Sequence, residues 1–257
     1  MGIKLKRPKA IICDIEGTTT STKYWGEMLV PFIKYNTQKC LKERWDVPIL
    51  MELIDNLRKS TELANKAQKG AGIPAIAAED KPKNLIIQSV LDNVIEQTNS
   101  KRHGKALQHF QMYVWLFGYQ TEELKGHVFP DVSKALNNWQ KFNNINIYTF
   151  ASGVYLTQKM LFACSIKGNL TPLITDYLDV ESFGLKTEGQ SFKNISKHIG
   201  IKTENILFLS DNPKELTAAQ SVNCQVLLVI RPQNPELPEE VVKKFTVIKS
   251  FDKIHFV

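Results

Sequence analysis

From about residue 127 onward the sequence alternates between two textures. Short apolar runs, several of them β-branched, are "INIYTF", "ITDYLDV", "NILFLS" and "QVLLVI". Stretches with helical spacing separate them: "DVSKALNNWQKF", "YLTQKMLFACS", "QSFKNISKHIG" and "PKELTAAQSV". Such an order leaves few choices: the strands run parallel and helices cover both faces of the sheet. One more run, "AIICD" at residues 10–14, reads as a buried strand near the N-terminus. Residues from about 24 to 125 read as mostly helical. "EMLVPFIKYNTQKCLKERW", "PILMELIDNLRKSTELANKAQ", "NLIIQSVLDNVIEQT" and "ALQHFQMYVWLFGYQ" carry apolar residues at three- and four-residue spacing. Pro31 is expected to disturb the first of these, and the polar break "KGAGIPAIAAEDKPK" separates the second from the third. The first strand thus stands about a hundred residues ahead of its partners. The expected class is α/β: a Rossmann-like parallel-sheet core from residues 1–21 and 128–257, interrupted by an all-helical domain over residues 22–127.

Several function classes drop out. With 257 residues, 43% of them hydrophobic, a full core is expected. No apolar run approaches the roughly 18 residues of a membrane span, so no membrane partner is expected. The N-terminal stretch has too few apolar residues for a signal-peptide core, and Lys6 occupies the place where myristoylation needs Ser or Thr. Cys13, Cys40, Cys164 and Cys224 form no CxxC pair, which argues against a zinc site or a disulfide framework and for a reducing compartment. A cytoplasmic location is expected, with the nucleus left open. The net charge of +7 is scattered and lacks aromatic interleaving, so it reads either as plain solvated surface or as a field that attracts anionic substrates, and no nucleic-acid partner is expected. "GTTT" is not followed by the Gly-Lys-Ser/Thr of a phosphate-binding loop, and "GAGIPA" follows no strand and is broken by Pro74. His103, His109, His127, His198 and His255 show no ligand spacing.

What sits at the carboxyl ends of the strands is more informative, because open parallel sheets gather their ligands there. "AIIC" ends on Asp14, with Glu16 two residues later. "INIYTF" runs into Ala151, Ser152 and Gly153, "NILFLS" ends on Asp211, and Lys186 lies in the loop after "ITDYLDV". Crowded carboxylates stay ionised at neutral pH only beside a cation. Mg²⁺ suits them, since it takes one or two carboxylates with phosphate oxygens and waters. Lys186 and the Ser152 hydroxyl could then hold phosphoryl oxygens while one carboxylate attacks phosphorus.

These residues resemble a known family. "DIEGT" at 14–18 is similar to the first motif of the haloacid-dehalogenase-like phosphatases, Ser152 to the second, Lys186 to the third and Asp211 to the fourth. Glu16, where most members carry Asp, resembles the enolase-phosphatase (acireductone synthase) branch of methionine salvage. "LVPF", "QKMLF", "NILFLSDNPKELTAA" and "VIRPQN" follow the pattern of that branch. The resemblance implies a core of the haloacid-dehalogenase type with the helical domain as a cap that closes over the site. It implies Asp14 as nucleophile and Glu16 as the acid and base. It implies one Mg²⁺ per chain, held by Asp14, the Glu16 carbonyl and Asp211, and a phosphoryl group bound by Ala151, Ser152 and Lys186. The implied reaction turns 2,3-diketo-5-methylthiopentyl-1-phosphate into 1,2-dihydroxy-3-keto-5-methylthiopentene and phosphate, in a monomer. Glu215 resembles the family's acid at that place, where it either holds Lys186 or a metal-bound water or stands as a solvated first-turn acid. Three departures are visible. "GIPAIAA" at 72–78 loses a Pro of the family pattern at Ile76 or its neighbour. Ala151-Ser152-Gly153-Val154 replaces the usual Ser-Ser-Gly-Ser, and "QMYVW" at 111–115 replaces a pattern resembling Gln-Gly-His-Ile-Trp. They leave two alternatives standing beside that reaction: a phosphatase of the same mechanism with a shifted small phosphate substrate, and a catalytically silent binding relative.

Overall fold

The structure, a computed structural model, describes residues 2–67, 72–102 and 104–257. Gly70 and Ala71 of "GAGIPA", Lys69 to Ala71 of the polar break, and His103 lie outside the described residues. The chain divides into two compact units, residues 25–124 and residues 1–24 with 125–257.

The unit of residues 25–124 is helical. A π-helical turn, Trp25–Leu29, leads into α1 (Val30–Glu43), followed by α2 (Pro48–Lys66), α3 (Lys83–Asn99) and α4 (Lys105–Gln120). Pro31 does not end the helix but disturbs it as expected: Leu29 before it is already helical, and the π-helical turn Trp25–Leu29 runs directly into the turn that holds Pro31. Ile33, Leu41, Leu50, Val90, Val94, Phe110 and Val114 are fully buried and make the core. α1 and α4 approach closely at Gly118, where a Cβ would stand 2.3 Å from the Phe32 ring. Buried Asn93 donates to Thr61 Oγ1 (3.0 Å) and to Pro74 O (2.7 Å), and its Oδ1 accepts from Gln97 (2.7 Å). That satisfied amide network fixes the loop after α2 to α2 and α3.

The other unit carries the sheet. β1 (Ile3–Leu5) and β2 (Ala10–Cys13) precede the helical unit. After it come α5 (Pro130–Asn137), β3 (Asn146–Ala151), α6 (Tyr155–Ala163), β4 (Asp176–Asp179), α7 (Val180–Phe183) and α8 (Gly189–Ile199). The chain ends with β5 (Ile206–Ser210), α9 (Pro213–Gln220), β6 (Gln225–Val229), α10 (Glu239–Val242), β7 (Val247–Ile248) and β8 (Ile254–Phe256). Six strands form one sheet in the order β4-β3-β2-β5-β6-β7, all neighbours parallel. With β2 counted as the first strand this is the doubly wound order 3-2-1-4-5-6. β2, β3 and β5 are near-continuously buried, as strands covered on both faces must be. On one face Phe192 of α8 meets Phe150 and Phe208 edge-on, with ring centroids 5.9 and 4.9 Å apart.

Two features differ from the sequence expectation. The helix read over "DVSKALNNWQKF" ends at Asn137 and continues as a π-helical turn, Asn138–Phe142, whose wider pitch accompanies a fully buried Trp139. The terminal segments pair with each other, β1 parallel to β8, as a separate two-stranded sheet. Strands of three residues, one of them in a basic stretch, carry too little periodicity to be read from sequence. Among the described residues all four cysteines are free, and no helix is long and apolar enough to cross a membrane.

Candidate active site

The doubly wound order creates its crevice where the chain's path reverses, between β2 and β5 at their carboxyl ends. Asp14 and Asp211 follow those two strands. The ladder runs one residue past β2, because Asp14 N donates to Leu209 O at 2.9 Å. The chain then turns tightly: Ile15 O accepts from the N–H groups of Thr18, Thr19 and Thr20. Gly17 takes the left-handed φ of +75° in that turn, and a Cβ there would lie 2.2 Å from Asp211 Oδ2. Two separate constraints therefore demand glycine at this position. Gly17→Ala is expected to displace the Asp211 carboxylate, lowering kcat about 100-fold and stability by about 1–3 kcal/mol. Steady-state phosphate release and urea melts check this; a variant with wild-type kcat removes the link between turn and site.

Asp14 is buried and each of its carboxylate oxygens accepts one hydrogen bond. Oδ1 accepts from Lys186 Nζ at 2.5 Å and Oδ2 from Thr18 Oγ1 at 3.2 Å. Lys186 Nζ also lies 3.1 Å from Glu215 Oε1, so the ammonium bridges two acids. Burial by itself would lower the Lys186 pKa, but the charges of Asp14 and Glu215 outweigh it and hold it above its usual value. Glu215 reaches this spot because the Asn212 side chain caps α9, accepting from Lys214 N at 3.0 Å with Pro213 in the first turn. Glu215 is thus buried, not a solvated first-turn acid, and Ser210 Oγ donates to its Oε2 at 2.8 Å.

The electrostatics are unbalanced. One ammonium faces Asp14, Glu215 and Asp211. Burial, then the charges of Asp14 and Glu215, push the Asp211 carboxyl up to about 7. Glu16, whose side chain is exposed, is also held above the usual range by partial shielding from solvent and by Asp14. Such a set is short of positive charge, and a hard divalent cation would supply it. Among the described residues no group of three or more His, Cys, Asp or Glu side chains is arranged to hold a metal. The available donors are two carboxylates, Asp14 and Asp211, and backbone carbonyls such as that of Glu16. That set fits Mg²⁺, which keeps waters and phosphate oxygens in its remaining positions.

The register puts the β3 end at the same edge: Cys13 pairs with Thr149, so Ala151 lies level with the start of the Asp14 turn. Ala151 is buried and Ser152 exposed at the head of α6. Asp14, Lys186 and Asp211 are therefore brought together with Glu215, while Glu16, Ala151 and Ser152 share the sheet edge.

Sequence reasoning missed the supports. Buried Arg231 donates from Nε to Thr18 O at 2.9 Å and from one terminal nitrogen to both Asp131 oxygens at 2.9 and 2.8 Å. Its guanidinium lies between the Phe129 and Phe251 rings, 4.5 and 4.7 Å from their centroids. Asn234 donates to Gly17 O at 2.9 Å, and Gln233 Oε1 accepts from Ser21 Oγ at 2.8 Å. "VIRPQN" is thus a clasp on residues 17–22. His127 supports the same segment: its Nδ1 accepts from Ser21 N at 3.1 Å, and burial lowers its pKa, which favours that neutral acceptor.

Comparison with known proteins agrees with this geometry. The model of the haloacid dehalogenase-like hydrolases matches residues 8–223. Enolase-phosphatase E1 of Xenopus tropicalis is 36% identical over 246 residues, 96% of this chain and 94% of that protein. Enolase-phosphatase E1 of Caenorhabditis elegans is 33% identical, covering 95% of this chain and 96% of that protein. The crystal structure of the UTR4 protein of Saccharomyces cerevisiae superposes with a TM-score of 0.71 at 26% identity, covering 96% of this chain and 99% of that one.

Proposed function

We propose, from the premise that this chain belongs to the haloacid dehalogenase-like hydrolases and, within them, to the enolase-phosphatase E1 family, that it is a Mg²⁺-dependent enolase-phosphatase. It is a phosphatase. Its substrate on this reading is 2,3-diketo-5-methylthiopentyl-1-phosphate, and its products are 1,2-dihydroxy-3-keto-5-methylthiopentene and phosphate. The observation that carries the reading is the buried Asp14 carboxylate, fixed by Lys186 and Thr18 beside Asp211 at the sheet's switch point.

Asp14 attacks phosphorus and forms an acyl phosphate as the bond from phosphorus to the leaving oxygen breaks. The raised pKa of Glu16 suits it to carry the proton that this oxygen takes. Glu16, now a carboxylate, removes a proton from the water that attacks the acyl phosphate, releasing phosphate and restoring Asp14. Lys186 and Ser152 bind phosphoryl oxygens throughout, and Glu215 orients the Lys186 ammonium. Mg²⁺, held by Asp14, Asp211 and the Glu16 carbonyl, would neutralise the phosphoryl charge that otherwise repels the Asp14 carboxylate.

With the diketo phosphate and Mg²⁺, enediol absorbance is expected to rise in step with phosphate release. EDTA is expected to stop both, and Mg²⁺ to restore them. Turnover of other phosphates with none of this one would overturn the substrate. Ala151 favours a second reading, the same mechanism on a shifted small phosphate, because a hydroxyl usual in the family is missing there. A panel of sugar and acyl-chain phosphates decides between the two.

A further inference from the structure

We propose that Gln158 is a positioning residue that sets the phosphate-holding loop Ala151–Val154; this rests on the reading of Ser152 as a phosphate ligand. Gln158 stands in the second turn of α6 and is 3% exposed. Its amide is used completely. Oε1 accepts from Thr149 Oγ1 at 2.7 Å, while Nε2 donates to Gly153 O at 2.7 Å and to Leu178 O at 2.8 Å. Two of these partners are carbonyls, which only accept, so the amide has one possible orientation.

The three partners lie on three different pieces of the site. Thr149 is in β3, Leu178 is in β4 and Gly153 is in the loop itself. β3 and β4 are neighbours, with Thr149 opposite Tyr177 and Phe150 opposite Leu178. One side chain therefore ties the loop to the carboxyl ends of two strands. Little else does so: the first turn of α6 has no side-chain cap, since Val154 stands at the cap position. The geometry explains why "QKMLF" places a polar residue on the buried side of α6, beside Leu161 and Phe162. An amide here fixes where Ser152 presents its donors, and sub-ångström placement governs how well a phosphoryl group is held.

The test is calorimetric titration of the Mg²⁺-loaded full chain with inorganic phosphate, with a thermal melt for each variant. Gln158→Met keeps the length and removes all three hydrogen bonds. It is expected to weaken phosphate about tenfold or more at a temperature where it is folded. Thr149→Val frees only Oε1 and is expected to weaken phosphate about two- to threefold, while Thr149→Ser, which keeps the hydroxyl, binds like wild type. A folded Gln158→Met protein with wild-type phosphate affinity overturns the proposal, whatever its melting temperature, because a merely structural glutamine moves only the melt. If Gln158→Met does not fold, the threonine pair decides: weakening in Thr149→Val alone supports the proposal, and equal affinity in both overturns it. Wild type that binds no phosphate overturns the reading of Ser152 as well, which separates the two failures.

Discussion

Replacing Asp14 by Asn is expected to lower kcat by at least about four orders of magnitude while the protein stays folded. The substitution is nearly isosteric. Thr18 and the turn around Gly17 keep their backbone bonds, because the Ile15 carbonyl and not the Asp14 side chain closes that turn. A carbonyl oxygen at position 14 still accepts from Lys186. What disappears is the anion that attacks phosphorus in the proposed reaction, and an amide has no second route to an acyl phosphate. The variant also removes one negative charge from a cluster short of positive charge, so it should melt no lower than wild type. Phosphate release under saturating substrate, with circular dichroism as the folding control, makes the comparison. Full activity in the variant would remove Asp14 as the nucleophile.

The largest stability effect is expected away from the reacting atoms. Asp131→Ala leaves the Arg231 guanidinium buried without its counter-ion, and should destabilise the protein by about 3–5 kcal/mol. Both partners of this pair are nearly inaccessible, with side-chain exposures of 3% and 9%. Asp131 Oδ2 also accepts from Phe251 N at 2.6 Å and from Ser250 Oγ at 3.2 Å, so these groups lose their acceptor too. Replacing both partners, Arg231→Met with Asp131→Leu, should cost less than Asp131→Ala, since no unpaired charge remains. Urea denaturation of the single and double variants measures the difference. A double variant less stable than Asp131→Ala would mean that the Arg231 bond to Thr18 O, and not charge pairing, dominates.

The sheet and its acid-bearing edge were legible because two central strands, β2 and β5, end abruptly near a carboxylate. An apolar run that stops at Asp14 or Asp211 marks its own end, and parallel pairing brings such ends to one side. Lys186 was legible by position alone, between strands already identified. Glu215 was half legible: its place resembles that of the family's acid, but only the Asn212 cap and the Ser210 hydroxyl turn it inward. Arg231 and Asp131 were not legible, because a buried pair 100 positions apart looks like any two of the 59 Lys, Arg, Asp and Glu residues in the chain. Gln158 was quoted within a motif, yet nothing local says that its amide reaches β4. The π-helical turns at Trp25–Leu29 and Asn138–Phe142 were invisible for another reason: apolar spacing does not distinguish one residue more per turn.

β2 pairs on one side with β3 and on the other with β5, Ala10 lying opposite both Asn146 and Ile206. During synthesis this apolar segment emerges before both of its neighbours and must wait about 200 residues for the second of them. At ribosomal speeds of about 5–20 residues per second that wait lasts on the order of 10–40 s. For that interval the newborn chain carries an unpaired strand edge. Asp14 is therefore translated well before Asp211 and gains that neighbour only once β5 has left the tunnel, so a product terminated before β5 has no switch-point crevice.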